Sequence, residues 1–162
     1  GIPRCGKSSF ANKWVRYEDK QTIDELEGVY TSYVYELYNP RVILCADSFR
    51  YALTGEVYEK EAEAAIYTMV DYAAKALLLT GHDVLMDETS STKATLRRYY
   101  RLDINATGIW IDTPKEVCIE RAKNLKQDYL IPVIERISKQ LDKLRPIYNQ
   151  VVAEIRQELQ NG

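Results

Sequence analysis

The sequence predicts an α/β fold built on a parallel sheet, and three observations carry that expectation. Short apolar runs alternate with segments whose apolar residues recur at helical spacing, the pattern of βαβ units. A glycine-bearing turn ending in Gly6-Lys7-Ser8 runs straight into a helical stretch. Two acidic residues, Asp47 and Asp87, directly follow apolar runs, as they would at the carboxyl edge of an open sheet. The 162 residues are 46% hydrophobic and 28% charged, with 22 basic and 24 acidic side chains. That composition fits one globular domain able to bury a core without staples. No run approaches the roughly 18 apolar residues of a membrane-spanning helix, and residues 1–10 lack the ordered regions of a signal peptide. A net charge of -2 argues against a general nucleic-acid coat. Three widely spaced cysteines, Cys5, Cys45 and Cys118, suggest neither a disulfide framework nor a zinc site, which fits a reducing cytoplasm.

The elements follow in order. Ser8 to Lys20 reads as a helix with Phe10, Trp14 and Ala11 facing inward. Thr22 to Leu37 is polar and tyrosine-rich, with a helical pattern weakened by Gly28. Arg41 to Ala46 predicts a short buried strand, and Ser48 to Leu53 a helix after it. From Glu56 to Leu79, the positions Ile66, Met69, Val70, Ala73, Ala74 and Leu77 trace an amphipathic helix closed by Thr80-Gly81. Asp83 to Asp87 predicts a second buried strand, Thr92 to Leu102 a helix, and Gly108 to Asp112 a third strand. Pro114 suits the start of a helix running through Val117 to Arg121. Beyond the polar stretch Lys123 to Tyr129, helices are expected over Pro132 to Leu144 and then to about Leu159, with Pro146 near the last one's first turn.

The opening residues Gly1-Ile2-Pro3-Arg4-Cys5-Gly6-Lys7-Ser8 fit G-x-x-x-x-G-K-[ST]. Such a loop turns backbone N–H groups onto a phosphate chain at a helix N-terminus. Gly6 allows close backbone approach, Lys7 reaches the β- and γ-phosphates, and the Ser8 hydroxyl suits Mg²⁺. A loop of this kind follows a buried strand, so a strand of about 5–6 residues is expected upstream of Gly1.

Asp47 and Arg50 place an acid and a guanidinium on one helical turn. Either the acid accepts a hydroxyl proton while the guanidinium clamps a substrate phosphate, or Asp47 caps the helix and Arg50 is its solvated neighbour. Asp87 is either a strand-end acid bonded to backbone N–H groups or a water-mediated contact to Mg²⁺. Glu88 beside it could activate water in an ATPase. Lys93, Arg97 and Arg101 form one helical stripe with Arg98 beside it. The stripe reads as a solvated face or as a track for a polynucleotide backbone, with Tyr99 or Tyr100 stacking a base. His82 reads as a surface turn residue, Cys5 as filling a small-residue position, and the 13 tyrosines mostly as packing.

The loop, the Asp47-x-x-Arg50 pair and the strand Val84 to Asp87 together resemble the P-loop kinases of the polynucleotide-kinase type. Arg97-Arg98, the run to Asp112, Arg121 and Pro132-Val133-Ile134-Glu135-Arg136 extend the resemblance over most of the chain, most weakly in residues 17–40. The resemblance implies a P-loop NTPase, nucleotide kinase-like three-layer sandwich with a parallel sheet, in a single domain over 1–162 with a lid near 121–132. It implies transfer of the ATP γ-phosphate to a hydroxyl, foremost a polynucleotide or nucleotide 5′-OH, with single-stranded nucleic acid as one acceptor and no membrane partner. By the same resemblance Asp47 is the general base, and Lys7 and Arg121 stabilise the transferring phosphate. Gly1, Arg4, Cys5, Gly6, Lys7, Ser8, Ser9 and Arg121 contact ATP, and Ser8 contacts Mg²⁺. Arg50 holds the acceptor's neighbouring phosphate, while Asp87 and Thr89 stand on the substrate side. Arg4 and Cys5 occupy positions usually small in the family, and Thr89 stands where asparagine is common. Lys123 and Lys126 stand where relatives supply a second lid arginine, and an ammonium cannot fork onto two phosphate oxygens. Two rival functions share these residues: a small-metabolite or antibiotic kinase on the same core, and an ATPase module without a separate acceptor.

Overall fold

The computed structural model describes residues 2–16, 40–55 and 58–161. The tyrosine-rich segment, the expected helix Thr22 to Leu37, Gly1, Glu56 and Val57 lie outside the described residues. The protein is a mostly helical α/β structure with a small two-stranded parallel sheet. It divides into two compact units, Ser8–Asp87 and a second made of Gly1–Lys7 with Glu88–Gly162. No helix among the described residues is long and apolar enough to cross a membrane.

In the first unit, helix α1 (Lys7–Arg16), from Ser8 onward, precedes strand β1 (Arg41–Leu44), helices α2 (Ala46–Thr54) and α3 (Glu63–Leu79), and strand β2 (Asp83–Met86). The strands pair in parallel, Arg41 opposite Asp83 and Leu44 opposite Met86, with the α2–α3 pair as the long crossover that parallel strands require. The core is one stripe of α3. Ile66 and Val70, one turn apart, are buried with Ala46, and Phe49 and Met86 pack against them. Helix α3 ends in a tight double hydrogen bond, His82 N–H to Leu77 O and Gly81 N–H to Leu78 O. Gly81 supplies the left-handed φ of 81° that this ending needs. Truncating Ile66, which has no exposed surface, to alanine should cost about 2–5 kcal/mol. A urea unfolding midpoint that does not fall would contradict this placement of the core.

Several expected elements shift. The helix expected from Glu56 begins at Glu63, because Tyr58 to Glu61 are exposed and offer nothing to bury before the Ile66 stripe starts. Met69, expected on the inner face, is exposed. Among the residues of α1 whose burial is described, only Ala11 is buried, while Phe10 and Trp14 are half-covered. The Trp14 ring instead lies 5.3 Å from the Arg41 guanidinium, and Arg41 Nη1 donates to Trp14 O at 3.1 Å. The strands expected to be buried are mostly half-buried, with Leu44 the buried residue of β1 and Asp83 exposed on β2.

The second unit holds α4 (Lys93–Leu102), α5 (Lys115–Asn124), α6 (Ile131–Leu144) and α7 (Tyr148–Gln160), with 3₁₀ turns at Asp128–Leu130 and Arg145–Ile147. Thr92 caps α4, its Oγ1 accepting the Thr95 N–H. One core cluster joins Ile2 and Cys5 to Cys118, Ala122, Ile134 and Ile137. Another joins Leu96 and Tyr100 to Leu144, Val151, Val152 and Ile155. The expected third strand, Gly108 to Asp112, is not a strand. The sheet among the described residues comprises β1 and β2 alone, and this segment is held by side chains. Trp110 meets Tyr148 edge-on at 5.3 Å, and Asp112 forks onto Arg145 at 2.9 and 2.8 Å.

Candidate functional site

Because β1 and β2 run in parallel, both deliver the chain to the same edge of the sheet. The Asp87 N–H donates to Leu44 O at 2.9 Å and carries the pairing one step past the strands. Asp87 and the first turn of α2, with Asp47, therefore stand at that carboxyl edge. Ser8 on α1 joins them, its Oγ donating to Asp87 Oδ2 at 2.6 Å. Ser9 beside it is exposed. The hydroxyl and carboxylate form an oxygen-only pair, the donor type Mg²⁺ takes from a protein while water and phosphate complete its shell. Among the described residues, no group of three or more His, Cys, Asp or Glu could hold a metal ion.

Asp47 does not cap its helix. Cys45, extended at φ -128° and ψ 119°, is the N-cap, and its carbonyl receives the Ser48 and Phe49 N–H groups. Asp47 lies inside the first turn with its side chain 69% exposed, and Arg50 Nη1 donates to its Oδ1 at 2.5 Å. The Arg50 guanidinium is buried, not solvated. Its Nε and Nη2 fork onto the two Glu63 oxygens at 2.6 and 2.8 Å, and Nη2 also donates to Tyr67 Oη at 3.2 Å. The Glu63 bond holds the guanidinium charged well above its ordinary value, against the opposing effect of burial. Glu63 and Tyr67 were not singled out by sequence. They sit 13 and 17 residues from Arg50, and only the crossover folding α3 back onto α2 brings them near.

In the other unit, the loop is anchored by two buried residues, Ile2 and Cys5, in the α5–α6 core. Gly6 takes φ 99° with open space where a Cβ would stand, so its backbone and not crowding calls for glycine. Arg4 also adopts a left-handed φ of 64°. Lys7 Nζ donates to Ile2 O at 3.1 Å, and Thr113 Oγ1 donates to Cys5 O at 2.7 Å. Arg121, in the last turn of α5, donates to Arg4 O at 3.0 Å, while Arg4 Nη2 donates to Gln127 Oε1. The structure therefore brings Arg121 onto the loop's backbone. The segment taken as a lid is short and turned: α5 stops at Asn124, Lys126 adopts φ 55°, and a 3₁₀ turn follows.

Glu88 is almost fully buried, its side chain 7% exposed, and Arg98 Nη1 and Nη2 donate to it at 3.2 and 3.4 Å. The Tyr99 hydroxyl donates to it as well. Burial first, then the charge and bond of Glu88, keep that hydroxyl protonated far above its ordinary value. Both Glu88 oxygens thus face protein donors, which counts against a water-activating base. Replacing Arg98 by methionine would strand this buried charge and should destabilise the protein by about 3–5 kcal/mol, readable as a lowered Tm. At its first two positions the stripe on α4 is partly exposed and ion-paired. Lys93 pairs with Glu154 at 2.7 Å and Arg97 with Glu158, both on α7. Arg101 is exposed, and Thr89 is half-buried.

The chain matches no protein-family model, and no curated protein matches it.

Proposed function

We propose that the protein is an ATP- and Mg²⁺-dependent phosphotransferase that moves the γ-phosphate to a hydroxyl acceptor, on a P-loop NTPase core of the nucleotide-kinase kind. One observation carries the reading: the 2.6 Å bond between Ser8, following the Gly6-Lys7 turn, and Asp87 at the end of a parallel strand. A phosphate-binding loop needs this hydroxyl and carboxylate side by side, because together they present oxygen to Mg²⁺. When bound, Mg²⁺ supplies positive charge to the β- and γ-phosphates. Lys7 exchanges the neutral Ile2 carbonyl for phosphate oxygen, and Arg121 adds a second cation to the loop. Asp47, exposed at the sheet edge with one oxygen on Arg50, takes the acceptor hydroxyl's proton as that oxygen attacks phosphorus. The three free cysteines suit work in a reducing cytoplasm.

The test uses γ-labelled ATP and Mg²⁺ with 5′-hydroxyl oligonucleotides, a panel of hydroxylated metabolites, or no acceptor. Label on an acceptor supports phosphotransfer. Phosphate release at the same rate with and without acceptors would replace it with ATPase chemistry.

A further inference from the structure

The occupied Arg50 guanidinium says more about the acceptor than the loop does. Arginine has five N–H donors, and four hydrogen bonds to Glu63, Asp47 and Tyr67 engage the Arg50 guanidinium. Its side chain is 10% exposed, and its carbon lies 5.5 Å from the Tyr67 ring centroid. The Glu63 side chain, 20% exposed, gives up both oxygens to the fork. One cation among two carboxylates leaves the cluster with a net negative charge. A phosphate approaching Arg50 would have to displace a bidentate carboxylate and meet the negative charge of Asp47. A neutral hydroxyl compound, or a cationic one, meets no such barrier and finds the open oxygen of Asp47 in solvent.

We propose that Arg50 is a positioning residue, locked by Glu63 so that it orients Asp47, and that the acceptor carries no phosphate beside its reacting hydroxyl. The proposal rests on the phosphotransferase reading and narrows its acceptor to uncharged or cationic alcohols, such as nucleosides, sugars and amino-alcohols. In the step itself, the acceptor oxygen forms a bond to the γ-phosphorus as its proton passes to Asp47. The bond from that phosphorus to the bridging oxygen breaks and ADP leaves with its electron pair. Asp47 then returns the proton to water. Glu63 touches neither substrate; it keeps the guanidinium in the one orientation that holds Asp47 Oδ1.

Two measurements on the full chain test this. In the first, the Nε–H resonance of Arg50 is followed by NMR during titration with inorganic phosphate and with thymidine 3′-monophosphate. It should stay still in the wild type and move in Glu63→Gln, where the fork is broken. Movement in the wild type overturns the proposal without touching the phosphotransfer reading. In the second, paired acceptors with and without a phosphate next to the hydroxyl are labelled from ATP. Wild-type kcat/KM should favour the phosphate-free partner or lie within about threefold of parity. Glu63→Gln should lower kcat by about tenfold or more with KM little changed. Glu63→Asp, which keeps the carboxylate, should recover part of the loss. A strong preference for the phosphate-bearing partner overturns the proposal but leaves a kinase. No label on any acceptor overturns phosphotransfer, and the proposal with it, even when Arg50 is silent to phosphate. Equal Tm values for wild type and Glu63→Gln establish that a kcat loss is not a folding loss; a loss that merely tracks a lowered Tm in both Glu63 variants overturns the positioning role.

Discussion

Replacing Lys7 by alanine is expected to weaken binding of ATP with Mg²⁺ by at least about a hundredfold, near 2.8 kcal/mol. The reason lies in what does and does not depend on the side chain. The loop's course is set by the left-handed backbone at Arg4 and Gly6 and by the burial of Ile2 and Cys5. Thr113 and Arg121 hold its carbonyls from outside. Lys7 contributes one contact to that frame, the bond from Nζ to Ile2 O. A neutral carbonyl is a weak partner for an ammonium compared with a phosphate oxygen, so the lysine is anchored yet available. Its loss should remove charge from the nucleotide site while the fold persists. Calorimetric titration with the nucleotide, beside an unchanged circular dichroism spectrum, checks both halves. Unaltered affinity would end the loop assignment.

Asp47→Asn should lower the rate of acceptor labelling by about 10²–10⁴-fold and leave nucleotide affinity unchanged. Asparagine keeps an oxygen for Arg50 Nη1 but cannot carry the acceptor's proton away. Because the Asp47 side chain is 69% exposed, the substitution tests chemistry with little effect on stability. Single-turnover labelling is the measurement, and a rate equal to that of the wild type would remove Asp47 from the reaction. The pair of variants also separates two steps. Lys7→Ala should fail at binding, whereas Asp47→Asn should bind and stall.

Much of the architecture was legible because its signals are local. The helices over Lys93–Leu102 and Ile131–Leu144 follow apolar spacing, and α4 starts where Thr92 supplies a cap. The ending of α3 followed from Gly81 for the same reason. Legibility failed where an element depends on a neighbour. Gly108 to Asp112 has a strand's composition, but a strand needs a partner, and side chains from Tyr148 and Arg145 hold it instead. The charged stripe on α4 carries no mark of its pairing, because Glu154 and Glu158 lie 61 residues away in sequence.

The sequence by itself determined that a glycine-lysine-serine loop opens a helix and that two aspartates follow parallel strands. Spacing and residue type suffice for these, since a turn, a helix start and a strand end are decided within a few residues. Only the tertiary structure decided what those groups touch. Parallel register set Asp87 beside Leu44 and allowed Ser8 to reach it. The return of α3 brought Glu63 onto Arg50, so the guanidinium expected to hold a phosphate forks onto a carboxylate. Contacts between distant residues depend on how whole elements pack, and no window along the chain contains that information.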